Sequence, residues 1–528
     1  MDEKGYIILY NERGETLEMT KNYQIPPDVA DYIIFREGDY VLAKNGRTGK
    51  IEFKDDSIQD LVDTLMQLID GSKAILFLGD FDNIGTIEIS KDNITAVFTG
   101  TLKPATDFSG KDIGGYNAVI AITGNNVKVY GGAIDGSVLT EGVAQKVGVL
   151  IYNAKNVCLR GLKVSNMPGM GIKAWGDYSY SDITDYSTWE LGNENIFIDK
   201  CVSVNNRTDA DATIHKGFGI EVRGKNVWVT NCVVMDNEES NIRTDRALYA
   251  HLIDNKVGYV NTYQKGENFD IYISNRVDIK HNHIESPLIS AGVNLYAYCD
   301  EIHIENNTFD KCRVAMYEVT IGNTTYDSFG TIVIRNNTFN LDGTDGLIVK
   351  NYWLTDETPL HFDKLVIEGN IFESGRVGLD VSWVGGGSVY IRRNVIRNAE
   401  WEFIRLSNDA IDYLEIVENT FNKNGSVGIR IDTSSTIANG VIANNKFRDL
   451  GSTKAVTVPS GSTVVIGVNY FADTDQDIMY DVAGNVLDTV VIPTHQPTAP
   501  KAGTMYFDPS TGELYVYDGS AWKKVTLT

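Results

Sequence analysis

IHIENNTF (302–309), IVIRNNTF (332–339), LVIEGNIF (365–372), VYIRRNVI (389–396), LEIVENTF (414–421) and GVIANNKF (440–447) are variants of one octet. It reads apolar, any, apolar, any, any, Asn, any, apolar. AHLIDNKV (250–257), VDIKHNHI (277–284) and VVIGVNYF (464–471) extend it in both directions. Aligning the octets puts Asn255, Asn282, Asn307, Asn337, Asn370, Asn394, Asn419, Asn445 and Asn469 in one column. Further upstream, VKVYGGAI, VCLRGLKV, IFIDKCVS and VWVTNCVV keep the register, with Gly132, Leu162, Cys201 and Cys232 in that column. A fixed internal period is the signature of a repeat architecture.

About ten residues after each octet comes a second motif, Gly-apolar-any-apolar: GIKA (171–174), GIEV (219–222), GVNL (292–295), GLIV (346–349), GLDV (378–381) and GIRI (428–431). Period-two alternation makes both motifs strands with one face inward. Stacked in register, they predict an all-β fold: a right-handed, single-stranded parallel β-helix with stacked strands over residues 114–482. The Asn column falls at a bend, where Asn tolerates left-handed backbone angles and its amide bonds the Asn one coil away. The column is therefore read as a structural ladder with no catalytic role. Cys201 and Cys232 sit at the same place on successive coils, close enough for a disulfide. Buried free thiols are the plainer alternative.

An open solenoid end exposes core and needs a cap. Ile58, Leu61, Val62, Leu65, Leu68 and Ile69 recur at helical spacing, with Ser57 and Asp60 as a cap at one end and Gly71 as the stop. The expected organisation is a small β module over 1–55, the capping helix and first strands over 56–112, coils over 113–482, and a linker with a β-meander over 483–528.

The chain carries 71 acidic and 47 basic residues, a net charge of −24. That balance argues against nucleic acid and anionic membranes, and suits a neutral or cationic ligand or a polysaccharide. No apolar run approaches a bilayer's span, so no membrane insertion is expected. The start MDEKGYIILYNERGE lacks a signal-peptide pattern. Five cysteines form no CxxC pair, so neither a metal site nor a cofactor is expected.

Over roughly residues 72–482 the coils resemble the pectate-lyase-like β-helix superfamily, whose fold serves lyases, hydrolases, adhesins and viral tailspikes alike. GDYVLAKNGRTGKIEF (38–53) followed by a cap helix resembles the start of β-helix proteins from hyperthermophilic archaea and their viruses. MYFDPSTGELYVYDGSAWKKV (505–525) looks like a short module at the ends of viral tail-fibre proteins. The polygalacturonase-type hydrolases of this fold carry an Asp-Asp pair and Gly-His-Gly. The coils here have neither, and Asp55-Asp56 precedes the cap helix. No catalytic residue is assigned.

One outward row of the second strand stands out. It carries Lys173, Glu221 and Arg243, then Trp175, Arg223 and Asp245, with Tyr296 further on and Tyr317 or Glu318 as additional members. The long insertions 176–194 and 203–218 lie beside it, with Tyr178, Tyr180, Tyr186, Trp189, Asp209, Asp211 and His215. Aromatics among charges suit sugar rings; the competing reading is a face of cross-strand ion pairs. The resemblances imply a virion-surface, tail-fibre or tailspike protein of an archaeal virus. Its partners would be a host-cell glycan or glycoprotein and other virion proteins, and its assembly a homotrimer. A polysaccharide lyase or hydrolase on the same fold is the alternative, and a cellular adhesin a third.

Overall fold

The computed structural model describes residues 8–10, 16–18, 30–139, 145–179, 183, 185–207, 217–259, 267–321, 324–343, 347–349, 359–382, 384–424, 427–450, 454–472, 479–481, 505–508, 511 and 513–525. It divides into two compact units, 1–283 and 284–528, and each is a parallel β-helix in its own right.

In the first unit, Tyr32–Glu37 and Tyr40–Asn45 form an antiparallel hairpin, extended by Ile51–Asp55. Tyr32–Glu37 also pairs in parallel with Lys73–Leu78, so the N-terminal strands continue the sheet of the first coil. The cap helix spans Ile58–Leu68 and opens as expected: the Ser57 hydroxyl accepts from the Asp60 N–H at 3.3 Å. It packs on Tyr40–Asn45, Ile51–Asp55 and Ile87–Ile89. One expectation is corrected here. Leu68 is 61% exposed, and Met66, one turn after Val62, is buried instead. Leu68 is the last helical residue, where the apolar stripe has turned away from the coil end.

Parallel pairing then repeats coil by coil. In the octet strand, Val129, Leu159, Ile198, Val229, Leu252 and Ile279 stack inward. In the second strand the inward stack is Ile120, Val149, Ile172, Ile220, Ile242 and Phe269. The glycine opening the second strand is set by close approach. A Cβ on Gly171 would lie 2.1 Å from Ser203 Oγ, and one on Gly219 would lie 2.5 Å from Asn241 O.

The second unit repeats the scheme from Cys299–Glu305 to Val464–Ile466. Phe309, Phe339 and Phe372 close the octet with rings stacked 4.4 and 4.7 Å apart. Fully burying such a ring contributes roughly 1.5–3 kcal/mol. Near the end of the chain, Met505–Asp508, Glu513–Tyr517 and Trp522–Lys524 form an antiparallel meander. The linker 491–503 lies outside the described residues.

The Asn column is inward, and each member is at most 2% exposed. From Asn307 to Asn469, each backbone N–H donates to the next Asn Oδ1 at 2.8–3.0 Å. The side-chain Nδ2 donates to the same oxygen at 2.9–3.0 Å. It also reaches a backbone carbonyl, as from Asn370 to Ile334 and from Asn394 to Ile367. In the first unit, Asn255 and Asn282 make the same pair, and the Cys232 N–H donates to Asn255 Oδ1 at 2.9 Å.

The reason for asparagine differs from the expected one. The left-handed residue at the bend is the one before the column: Asp254, His281, Asn306, Asn336, Gly369, Arg393, Glu418 and Asn444 all have positive φ. The column residues are chosen for their amide, which donates and accepts at once. Cys201 and Cys232 are buried free thiols.

Candidate ligand-binding faces

The second-strand register of the first unit places Ala121, Leu150, Lys173, Glu221, Arg243 and Asp270 in one row pointing away from the core. The row changes from apolar to alternating charge at Lys173. Lys173 Nζ bonds Glu221 Oε2, Arg243 Nε lies 3.6 Å from Glu221 Oε1, and Arg243 Nη1 lies 3.4 Å from Asp270 Oδ2. Beside it, Arg223 Nη2 bonds Asp245 Oδ2, and Arg246 Nη1 lies 2.7 Å from Asp245 Oδ1. Sequence reading therefore grouped residues that do meet.

It misjudged their access. Lys173 is 1% exposed, and Glu221, Arg223 and Asp245 are 3% exposed. Outside the coil, a second layer covers them. Trp175 is half-buried, with Lys173 Nζ 3.7 Å and Arg223 Cζ 3.3 Å from its ring centroid. Tyr116 meets Trp175 edge-on, Tyr178 lies 4.2 Å from Arg223, and Phe218 lies 5.1 Å from Arg243. Tyr116, Met170 and Phe218 form a small outer core with Val147 and Leu150. The expectation of charges open to sugar hydroxyls is thus corrected: these groups bond each other beneath aromatic rings.

Titration follows from enclosure. Burial pulls the Lys173 ammonium below the ordinary lysine range, against the opposing pull of Glu221 and Asp245. Burial alone would raise the Asp245 carboxyl, but Arg223, Arg246 and Arg243 outweigh it and hold it below the usual carboxylate range. Arg243 is raised because Asp270 and Glu221 overcome its own desolvation.

Of the insertion residues, Tyr178 is 40% exposed, while Trp189 is buried with its Nε1 donating to Ile183 O at 3.2 Å. Tyr180, Asp209, Asp211 and His215 lie outside the described residues. Tyr296 belongs to the second unit, where its ring stacks on Tyr317 at 5.4 Å. Tyr317 and Glu318 are both 7% exposed.

Sequence reading missed an outward row on the octet strand: Lys128, Cys158, Phe197, Trp228, His251 and Asp278. Phe197 and Trp228 stack at 4.4 Å, Trp228 and His251 at 5.3 Å, and His251 Nδ1 lies 2.8 Å from Asp278 Oδ2. His251 and Lys280 hold Asp278 below the carboxylate range against the effect of burial. Phe197 is 40% exposed. Trp228 covers one of its faces. The neighbour on the other side is Cys158, a short side chain. Burial pushes the Cys158 thiol up to about 11, so this wall is uncharged. Arg160 and Asp199 pair at 3.1 Å on one flank, and Asn195 Nδ2 donates to Asn156 Oδ1 at 2.8 Å on the other. The signal was available: the first "any" position of IFID, VWVT and AHLI holds Phe, Trp and His in succession.

Asn93, Asn126, Asn156, Asn195 and Asn226 form a further ladder, this one with positive φ at every member. Here asparagine does occupy the left-handed position, immediately before each octet strand.

No protein-family model matches the chain, and no curated protein matches it. Among solved structures it is similar to the Dettilon tailspike protein gp208, at 14% identity over 88% of this chain and 73% of that one, with a TM-score of 0.35. It is similar to the tailspike of E. coli bacteriophage HK620 in complex with pentasaccharide, at 11% identity over 80% and 76%, with a TM-score of 0.34. It is also similar to the A-module of mannuronan C-5 epimerase AlgE6 from Azotobacter vinelandii, at 11% identity over 81% and 93%, with a TM-score of 0.29. These scores describe distant likeness.

Proposed function

We propose that this chain is a virion-surface protein of tail-fibre or tailspike type, from an archaeal virus, that attaches to host cells by holding glycan against the flank of its coils. The observation that carries the glycan reading is the exposed Phe197 ring, stacked on Trp228 and 40% open to solvent. A pyranose packs its CH face on such a ring, while its hydroxyls reach groups at the rim. Here the rim is the Arg160–Asp199 pair and the Asn156–Asn195 pair. The acidic surface favours a neutral glycan over an anionic one. Trp175 is assigned to packing, because cations already occupy its ring. The viral and archaeal assignments and the virion partners rest on the terminal segments described above, and the trimer on analogy with viral β-helix spikes.

The test is binding of the full chain to an envelope-glycan array. Phe197→Ala should weaken binding roughly ten-fold, the loss of one ring contact of about 1.4 kcal/mol. Unchanged binding by Phe197→Ala would overturn the assignment of this face. Purified virus particles that lack the chain by mass spectrometry would overturn the virion reading.

A second reading, polysaccharide cleavage, has one specific observation in its favour. Glu267 is raised, by burial first and by the carboxylates of Asp270 and Glu239 next. A carboxyl group whose surroundings favour its protonated form is the pattern of a general acid. Incubation with host polysaccharide decides it, and absence of new reducing ends or unsaturated products leaves binding alone.

A further inference from the structure

In the second unit, a run of three glycines interrupts the outer surface. Leu360 pairs with Val384 and Lys364 with Ser388, so Gly385 and Gly387 fall opposite His361 and Asp363. Ser388 pairs with Tyr413, so Gly387 also falls opposite Asp412. One coil therefore presents no side chain between Asp363 on the coil before and Asp412 on the coil after. Two strand steps separate those coils, about 9.6 Å. The result is an open cleft of about 450 Å³, walled by Ser328, His361, Asp363 and Asp412 and floored by glycine backbone.

The glycines are required there. A Cβ on Gly387 would stand 1.6 Å from Phe362 O, and one on Gly385 would stand 2.9 Å from His361 Cε1. Gly386 and Gly387 have φ of +148° and +77°, a region L side chains rarely adopt. Above Gly386 the space is free, and two polar atoms converge on it. The position its Cβ would take lies 3.5 Å from His361 Nδ1 and 3.9 Å from Asp412 Oδ2. Asp412 is oriented, because its Oδ2 accepts from the Gly387 N–H at 2.9 Å. Among the described residues, no hydrogen bond occupies the His361 ring, the Asp363 carboxylate or the Gly386 N–H. The cleft thus holds two carboxylate acceptors, an imidazole and an amide donor around a space one side-chain layer thick.

We infer that this cleft is a binding site for one neutral hexose residue, held by its hydroxyls between Asp363 and Asp412 with His361 alongside. The inference rests on the glycan-binding reading but concerns a different unit and different residues from the Phe197 face. Vicinal hydroxyls donate to carboxylates through charge-assisted bonds. The same two carboxylates repel a uronate, so selectivity for uncharged sugars follows.

The experiment uses the full chain labelled with ¹³C-histidine, with the His361 imidazole signal identified by its loss in His361→Gln. Methyl α-D-glucopyranoside, methyl β-D-galactopyranoside, N-acetyl-D-glucosamine, D-glucuronate and calcium chloride are titrated separately. The expected result is a saturable shift of the His361 signal with at least one neutral sugar and none with glucuronate. Asp412→Asn and Asp363→Asn should each weaken that sugar roughly ten-fold. A shift with calcium alone, no saturable shift with any neutral sugar, or a shift unaffected by both Asn variants overturns the inference. The glycan array separates this from the broader proposal. Array binding that survives His361→Gln and Asp412→Asn unchanged, with no His361 shift, sinks the cleft and leaves attachment standing. A saturable His361 shift without array binding does the reverse.

Discussion

The outward row of the second strand can be followed in both units, and the two versions differ in what lies over them. In the first unit, Lys173, Glu221, Arg243 and Asp270 alternate in sign, and their side chains are 1, 4, 16 and 7% exposed. In the second unit, Asp380, Arg405 and Arg430 occupy the corresponding row, with side chains 9, 22 and 45% exposed. There Glu402 gathers the cations: Arg405 Nη2 lies 2.8 Å and Arg430 Nη1 3.3 Å from its carboxylate. The first row alternates in sign, as stacked parallel strands favour, whereas the second sets Arg405 beside Arg430 and balances them with Glu402 from outside the row. Only the first carries a roof of Trp175, Tyr116, Tyr178 and Phe218. The lesson is that the cover, rather than the charge pattern, sets what each ion pair is worth. Removing one partner of an enclosed pair strands the other in a dry site, whereas an open partner is taken up by water.

The largest effect is expected at the centre of the covered row. Glu221→Ala leaves Lys173 and Arg243 without their shared carboxylate, and should cost about 3–5 kcal/mol in urea unfolding. A loss under about 1 kcal/mol would erase the distinction between the rows. Asn370→Ala sets an internal scale, since it removes inward amide bonds that no cover affects. It should cost about 1–3 kcal/mol in the same assay.

The pH dependence sharpens the comparison from another side. Asp245 is held below the ordinary carboxylate value in the folded chain. The unfolded chain therefore binds more protons in the interval from the folded value up to about pH 4. Stability from this group is present above that interval and is lost as pH falls through it. Asp245→Asn should flatten the acid limb of the urea midpoint against pH. An acid limb identical to that of the unaltered chain would mean that the covered cluster does not hold this carboxylate ionised. The smallest effect is expected at the open edge of the second row. Arg430→Ala should change unfolding free energy by less than about 1 kcal/mol, and less still at high salt. A larger cost would show that solvent exposure does not discount this pair.

Much of this was legible without coordinates. The octet names its own inward positions, because a strand alternates strictly and any slip would turn the whole apolar set outward. Nine asparagines at one place in that octet could only be a ladder, and the helical spacing of Ile58, Leu61, Val62 and Leu65 could only be a cap. The charged second-strand residues were also grouped correctly, since parallel register brings equivalent positions of successive coils together. What the one-dimensional pattern did not contain was depth. An outward residue in a repeat is outward from its own coil, and whether solvent follows depends on what insertions and neighbouring strands lay over it. So Lys173 and Glu221 read as surface and are enclosed, while the Phe197 row was passed over and is open. The glycine run at 385–387 offers no side chain for a sequence pattern to register. It becomes a cleft only because register sets it between Asp363 on one coil and Asp412 on another, residues 49 positions apart in the chain. Local pattern determines which way each side chain leaves the backbone; only the stacking of coils decides what it meets there, because those partners come from distant parts of the sequence.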